Sequence, residues 1–304
     1  MRQHLRSFLF FSLGILSFAS MGFAQAGGAA GSAAGAKTSA ADLWSVSIPK
    51  PPANPAPAPK HDISGTWTPA NGPGAGIQAS GVAAMPNDGK PEHQPPFTDY
   101  GLQVYKSHHA LEGKDAVLPG FYDDPRDKCE PMGFPRANFY NLRETQILQD
   151  EYKIAILYQY DTKWRIVWTD GRPVPENIDG GVKAGKELKE SRFYGYSVGH
   201  WTDDTTLVVD TLGMMPENKV WLDTAGRPIS DKLHVIETFH RVNHDRLEWS
   251  VTIDDPKMYT KPWVAMNKFP MMLESPQRDI MEQYCSLTEM EEYNKLFANP
   301  SSGK

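Results

Sequence analysis

Cysteine is nearly absent from this chain: 2 residues in 304, Cys129 and Cys285, with no C-x-x-C spacing. That leaves out zinc and redox motifs of the C-x-x-C type. Basic charge is not in excess either, with 31 Lys and Arg against 37 Asp and Glu, a net −6. A balance on the acidic side argues against nucleic acid or an anionic membrane surface as the main partner. A membrane-spanning helix needs roughly 18 or more apolar residues. The run from Phe8 to Phe18 falls short of that and is broken by Ser12, Gly14 and Ser17, and no later stretch approaches it. P-loop, G-x-G-x-x-G, G-x-S-x-G and H-E-x-x-H patterns are missing, and no repeat of propeller or solenoid period occurs.

The N-terminus carries the first positive signal. Arg2, His4 and Arg6 precede the short apolar run, and Ala24-Gln25-Ala26 follows it. A basic head, a short hydrophobic segment and an A-x-A site read as a secretory signal peptide, residues 1–26, which places the mature protein in the periplasm or outside the cell. Its removal takes away Arg2 and Arg6, leaving 29 basic against 37 acidic residues, net −8. Residues 27–60 are Gly/Ala/Ser-rich and then Pro-rich (PKPPANPAPAP), a composition expected to form a disordered linker. A single folded domain is expected over 61–298, with a disordered tail at 299–304. In an oxidising compartment Cys129 and Cys285 read either as one disulfide or as two separate buried thiols.

Across the domain, β-branched and aromatic residues alternate with polar ones. FYNLRETQILQ (from Phe139), YKIAILYQY and KWRIVWT read as three strands, and five more lie between Phe193 and Leu273. With a short strand at Asp62–Trp67, the count is roughly nine. Leu102, Tyr105 and His109 predict a helix over Thr98–Glu112, capped by Thr98 and stopped at Gly113. Ser286 and Glu289 predict a capping box opening a C-terminal helix. The 176–190 excursion reads as a solvated loop with a short helix at Lys183–Lys189. Neighbouring strands in sequence favour neighbours in space, and a sheet this long tends to close. The expected fold is mainly β: an antiparallel up-and-down barrel with one inserted helix and a C-terminal helix, the alternative being a two-sheet β-sandwich.

Gly65-Thr66-Trp67 resembles the G-x-W motif on a lipocalin's first strand, and lipocalins also end in a helix laid against the barrel. A long insertion carrying a helix separates this strand from the rest, which the lipocalin pattern lacks. Over residues 61–298 the runs GYSVGHW, DDTTLVVDT, TFHRVNHDRLEWSVTIDDPKMYTKPW and CEPMGFPR are similar to a large set of uncharacterised secreted bacterial proteins. That resemblance implies one exported type of domain and carries no catalytic residues across.

Candidate functional residues come from strand geometry. In the hairpin 232–254, Leu247, Trp249, Val251 and Ile253 mark the inner face of the second strand. A three-residue loop pairs Phe239 with Trp249 and turns Glu237 and Arg241 inward. A two- or four-residue loop pairs His240 with Trp249 and turns His234, Thr238 and His240 inward instead. Either register brings ionisable groups to the interior, where they need partners or a ligand. Tyr194, Tyr196 and His200 share one face by alternation. Candidate catalytic residues are therefore His200, Glu237 and Tyr196, and candidate ligand-binding residues are Tyr158, Arg165, Trp168, Tyr194, Arg241 and Trp249. The histidines lack zinc-site spacing, so no metal and no cofactor is expected. The expected function is binding of a small apolar or aromatic molecule inside the barrel. The alternatives are lyase, isomerase or hydrolase chemistry in the same cavity, and an envelope domain that binds a protein partner.

Overall fold

The computed structural model describes residues 49–70, 82–139, 144–160, 162–174, 192–215 and 219–298. The expected signal peptide, the first part of the linker, the helix at Lys183–Lys189 and the C-terminal tail lie outside the described residues. Nine strands close into one barrel: β1 (Gly65–Pro69), β2 (Thr145–Gln149), β3 (Lys153–Tyr158), β4 (Lys163–Trp168), β5 (Tyr196–Trp201), β6 (Thr206–Leu212), β7 (His234–Asn243), β8 (Arg246–Asp254) and β9 (Trp263–Leu273). Spatial order follows chain order, and β1 closes the ring by pairing with both β2 and β9. The sandwich alternative is thereby set aside.

One seam departs from the antiparallel expectation. β4 and β5 run parallel, joined only at Val167↔Ser197 and Trp168↔Val198. Parity requires this: around a closed ring of nine strands, directions cannot alternate at every seam. Parallel neighbours need a long crossover, and the chain between Thr169 and Gly195 supplies it.

The β7–β8 hairpin settles its own register. Asn243↔Arg246 closes a two-residue turn, but the next pair is Arg241↔Leu247, so Val242 is an extra, bulged residue. A bulge shifts the register by one and turns every later side chain over. Phe239 therefore faces Trp249, and Glu237 and Arg241 point inward with Val235, Leu247, Val251 and Ile253.

A second difference concerns the start of the sheet. Phe139 does not open a strand; it ends a single helical turn, α2 (Arg136–Phe139), and β2 begins at Thr145. The run CEPMGFPR (Cys129–Arg136), together with α2, is packed: Met132, Phe134, Arg136 and Phe139 are all buried. This segment forms a plug across one barrel end. It is preceded by α1 (Asp99–Ser107), where Thr98 Oγ1 accepts from Gly101 N at 2.9 Å. Gly101 is required there because a Cβ would stand 2.0 Å from the Met258 carbonyl oxygen. α1 ends at Ser107, short of the expected Gly113.

At the C-terminus Ser286 caps α3 (Leu287–Tyr293) by accepting from Glu289 N. α3 buries none of its residues and lies beside the turn Pro125–Lys128 rather than along the barrel wall. The disulfide Cys129–Cys285, with Cα atoms 5.5 Å apart, ties the plug to the segment leading into α3. Of the two readings of the cysteines, the bridge is the one present. Among the described residues, no helix is long and apolar enough to cross a membrane.

Candidate functional site

Inside the barrel, at mid-height, a charged pair replaces part of the apolar core. β4 alternation sends Arg165 inward and β7 sends Glu237; their Nη2 and Oε2 atoms are 2.8 Å apart, with side chains 1% and 0% exposed. The plug joins them. Asn138 Nδ2 donates to Glu237 Oε1 at 2.8 Å, and the Tyr158 hydroxyl donates to Asn138 Oδ1 at 2.9 Å. The Arg165 guanidinium also covers the Phe134 ring at 4.1 Å. Burial pushes the Glu237 carboxyl above its ordinary range, while the charge of Arg165 and the Asn138 amide pull against that shift. Burial likewise raises the Tyr158 phenol well above its ordinary value, so it stays a proton donor. Buried charges are tolerated only with such partners, and two of the partners come from the plug.

Above this layer, between plug and barrel wall, lies a pocket partly open to solvent. Its apolar surface comes from Tyr158, Tyr160, Tyr194 and Trp249, with Met132 and Met271 beside them. Tyr158 and Tyr194 stack with ring centroids 6.0 Å apart. Its polar handles are Asn138, Glu144 and Gln159. The enclosed volume is about 10 Å³, room for a single water-sized group. Phe134, Asn138 and Phe139 are buried in the barrel interior.

One carboxyl, Glu144, is among the pocket's lining residues. Glu144 accepts from Arg278 Nε at 2.7 Å on Oε1, while its Oε2 is buried and has no hydrogen-bond partner among the described residues. Glu274 is pushed up to about 7, first by burial and then by the charge of Glu144, with Arg278 opposing.

The expected catalytic residues do not converge. Glu237 is inside, whereas His200 is exposed on the outer face of β5, and Tyr196 lies on that same face with its hydroxyl accepting from Arg172 Nη1 at 2.9 Å. Tyr194 leaves that face because Gly195 adopts φ +63°, which breaks the alternation just before β5 starts. Tyr194 therefore folds over the mouth against Tyr158. Among the expected ligand-binding residues, Tyr158, Tyr194 and Trp249 line the pocket. Arg165 sits one layer below it. Trp168 is on the outer wall, covered by the Arg172 guanidinium at 3.7 Å from its ring. Arg241 is at the opposite barrel end, donating to the carbonyls of Asp62 and His244 at 3.0 and 2.8 Å and covering the Trp67 ring. It clasps the entry to β1 onto the β7–β8 turn.

Asn138, Glu144 and Gln159 had no sequence signal of their own, since their partners are supplied by distant elements. Glu144 stands at the head of a strand-like run, where a charge reads as a solvent-facing end. Among the described residues, no group of three or more His, Cys, Asp or Glu stands positioned to hold a metal ion. The chain matches no protein-family model, no curated protein and no solved structure.

Proposed function

We propose that this protein binds a small molecule with an apolar or aromatic body at the barrel mouth, between the plug and the barrel wall. The observation that supports this reading is a solvent-open pocket whose walls are three tyrosines and a tryptophan and whose handles are Asn138, Glu144 and Gln159. Aromatic walls with few polar groups are the usual make-up of small-molecule sites. Because the enclosed part is small, the body of the ligand rests on the aromatic rim and only one group enters. The protein works in an oxidising compartment outside the cytoplasm: the Cys129–Cys285 bridge persists there, and the signal-peptide pattern at the N-terminus agrees.

A second reading, acid–base catalysis at the same mouth, draws support from Glu144 on the pocket lining and from the Glu274 carboxyl, which burial and the charge of Glu144 push up to about 7. Both readings are tested by native mass spectrometry of the protein purified from its own host, with extraction of the bound molecule. A specific compound recovered unchanged after incubation supports binding; its conversion supports catalysis. Probe molecules that leave the fluorescence of Trp249 unchanged and do not co-purify would overturn both.

A further inference from the structure

The outer wall of a closed barrel meets water. On the β7–β8 side it carries polar residues, Thr238 and His240 opposite Ser250 and Glu248. The face of β2, β3 and β4 is different. Leu148, Ala155 and Ile166 form one cross-strand row, and Leu157 beside Trp164 forms the next. All five alternate with buried residues and so point outward. Leu148 is 52% and Trp164 64% exposed, and Tyr152 in the β2–β3 turn adds a ring 56% exposed. Adjoining apolar residues left open in this way mark a docking surface. Closure of the ring leaves no free edge there, so an occupant lies on the face of the strands and does not extend the sheet.

The chain carries a segment that fits this face. Trp44, Val46 and Ile48 alternate with Ser45 and Ser47, the period-two pattern of a strand with one apolar side. They lie outside the described residues, and with Leu43 they are the only large apolar side chains between residues 27 and 60. The described chain takes up directly after them at Pro49, and the Ala56 carbonyl accepts from His244 N at 2.9 Å at the β7–β8 turn. The β2–β3 turn stands at that same end of the barrel: Gln149 Nε2 donates to the His61 carbonyl and Arg241 Nη1 to the Asp62 carbonyl. At about 3.1 Å per residue, the proline-rich stretch from Pro49 to Ala56 spans about 22 Å. The four strand spacings from β8 round to β3 come to about 19 Å at about 4.8 Å each. The other exposed apolar group, Leu118, Phe121 and Leu287, stands at the plug end, a strand length away from where this stretch is pinned.

We infer that residues 43–48 fold back onto the outer face of β2, β3 and β4 of the same chain, with Trp44, Val46 and Ile48 on the apolar rows and Ser45 and Ser47 toward water. Tethering makes this contact intramolecular, at an effective concentration in the mM range. Two separate copies instead repel, each at net −8 with 29 basic against 37 acidic residues once 1–26 is removed. The linker thus ends in an arm laid on the barrel, and the apolar wall is closed to other partners while the arm is seated.

The test uses the mature chain with its bridge intact and reads hydroxyl-radical oxidation by mass spectrometry. Wild type is compared with the triple variant Trp44→Ser, Val46→Ser and Ile48→Ser, whose substitutions lie outside the barrel. With the arm held at mM effective concentration, Trp164 and Tyr152 are expected to oxidise about threefold more slowly in the wild type than in the variant. Phe121, at the plug end, is expected to oxidise equally in both. The protection is expected to stay constant as the protein is diluted, because the contact is made within one chain. Protection that fades on dilution, together with a dimer in sedimentation, gives the face to a second copy and overturns the assignment. Equal oxidation of Trp164 in both chains overturns it as well, since the arm then leaves the wall bare.

Discussion

Replacing Glu237 by Leu removes one half of the mid-barrel pair and leaves the other half in place. Arg165 then keeps a guanidinium 1% exposed with no carboxylate at hand, and breaking a buried pair in this way costs about 3–5 kcal/mol. Asn138 Nδ2, which now donates to Glu237 at 2.8 Å, also loses its acceptor, adding about 1 kcal/mol or more. The single variant is therefore expected to lose roughly 5 kcal/mol, a fall in Tm of roughly 10–20 °C for a domain of this size. Arg165→Met should cost a similar amount by orphaning Glu237. The double variant, Arg165→Met with Glu237→Leu, fills the same space with apolar groups and removes both charges. It should recover most of the loss, a coupling of about 3 kcal/mol or more. Thermal and urea unfolding followed by far-ultraviolet dichroism and tryptophan fluorescence, with the bridge intact, measure all four species. A double variant destabilised by the sum of the two singles would refute the claim that the charges exist in the core only through each other.

Two further outcomes concern Glu274 and the Cys129–Cys285 bridge. The Glu274 carboxyl titrates near 7 in the folded chain against an ordinary 4.5, so the fold favours its protonated form. The contribution is fully present below about pH 4.5 and is lost as pH rises through 7; discounted for the partial exposure of the group, it is on the order of 1 kcal/mol. Unfolding measured at pH 5 and pH 8 should show that loss in the wild type and not in Glu274→Gln, and an equal drop in both would refute it. Replacing both Cys129 and Cys285 by Ser opens a loop spanning a sequence separation of 156, for which chain entropy allows roughly 5 kcal/mol at most. The variant should melt lower and be cut faster by protease between 125 and 139; a Tm within about 2 °C of the wild type, where each kcal/mol moves it by that much or more, with unchanged cleavage, would contradict the fastening of the plug.

The wall of this barrel is legible in the sequence because period-two alternation is a local property. Leu247, Trp249, Val251 and Ile253 announce the inner face of β8 without knowledge of any other strand. Glu237 and Arg241 are legible as inward charges only once the hairpin register is known, and that depends on the bulge at Val242, which composition does not announce. His200, Tyr196 and Trp168 illustrate the limit of alternation: it groups side chains on a face and leaves open which face is inside. The pocket is less legible still. Asn138 meets Glu237 across 99 positions and Glu144 meets Arg278 across 134, so their roles exist only after the barrel closes and the plug seats. The plug is hard to read because Pro131, Gly133 and Pro135 break any strand pattern in a segment whose Phe134, Arg136 and Phe139 are nonetheless buried.

The cross-link and the ring closure are separate fastenings. The covalent loop from Cys129 to Cys285 encloses β2 through β9, while β1, only five residues long, stands outside it and alone fills the gap between the β2 and β9 edges. Drawing Gly65–Pro69 out of that slot bares two sheet edges at once while the other eight strands stay within one covalent loop. An open slot of that shape is a template for an identical strand, so the first strand of a second copy is a ready substitute. The Arg241 clasp on the entry to β1 is what holds the keystone in its own arch.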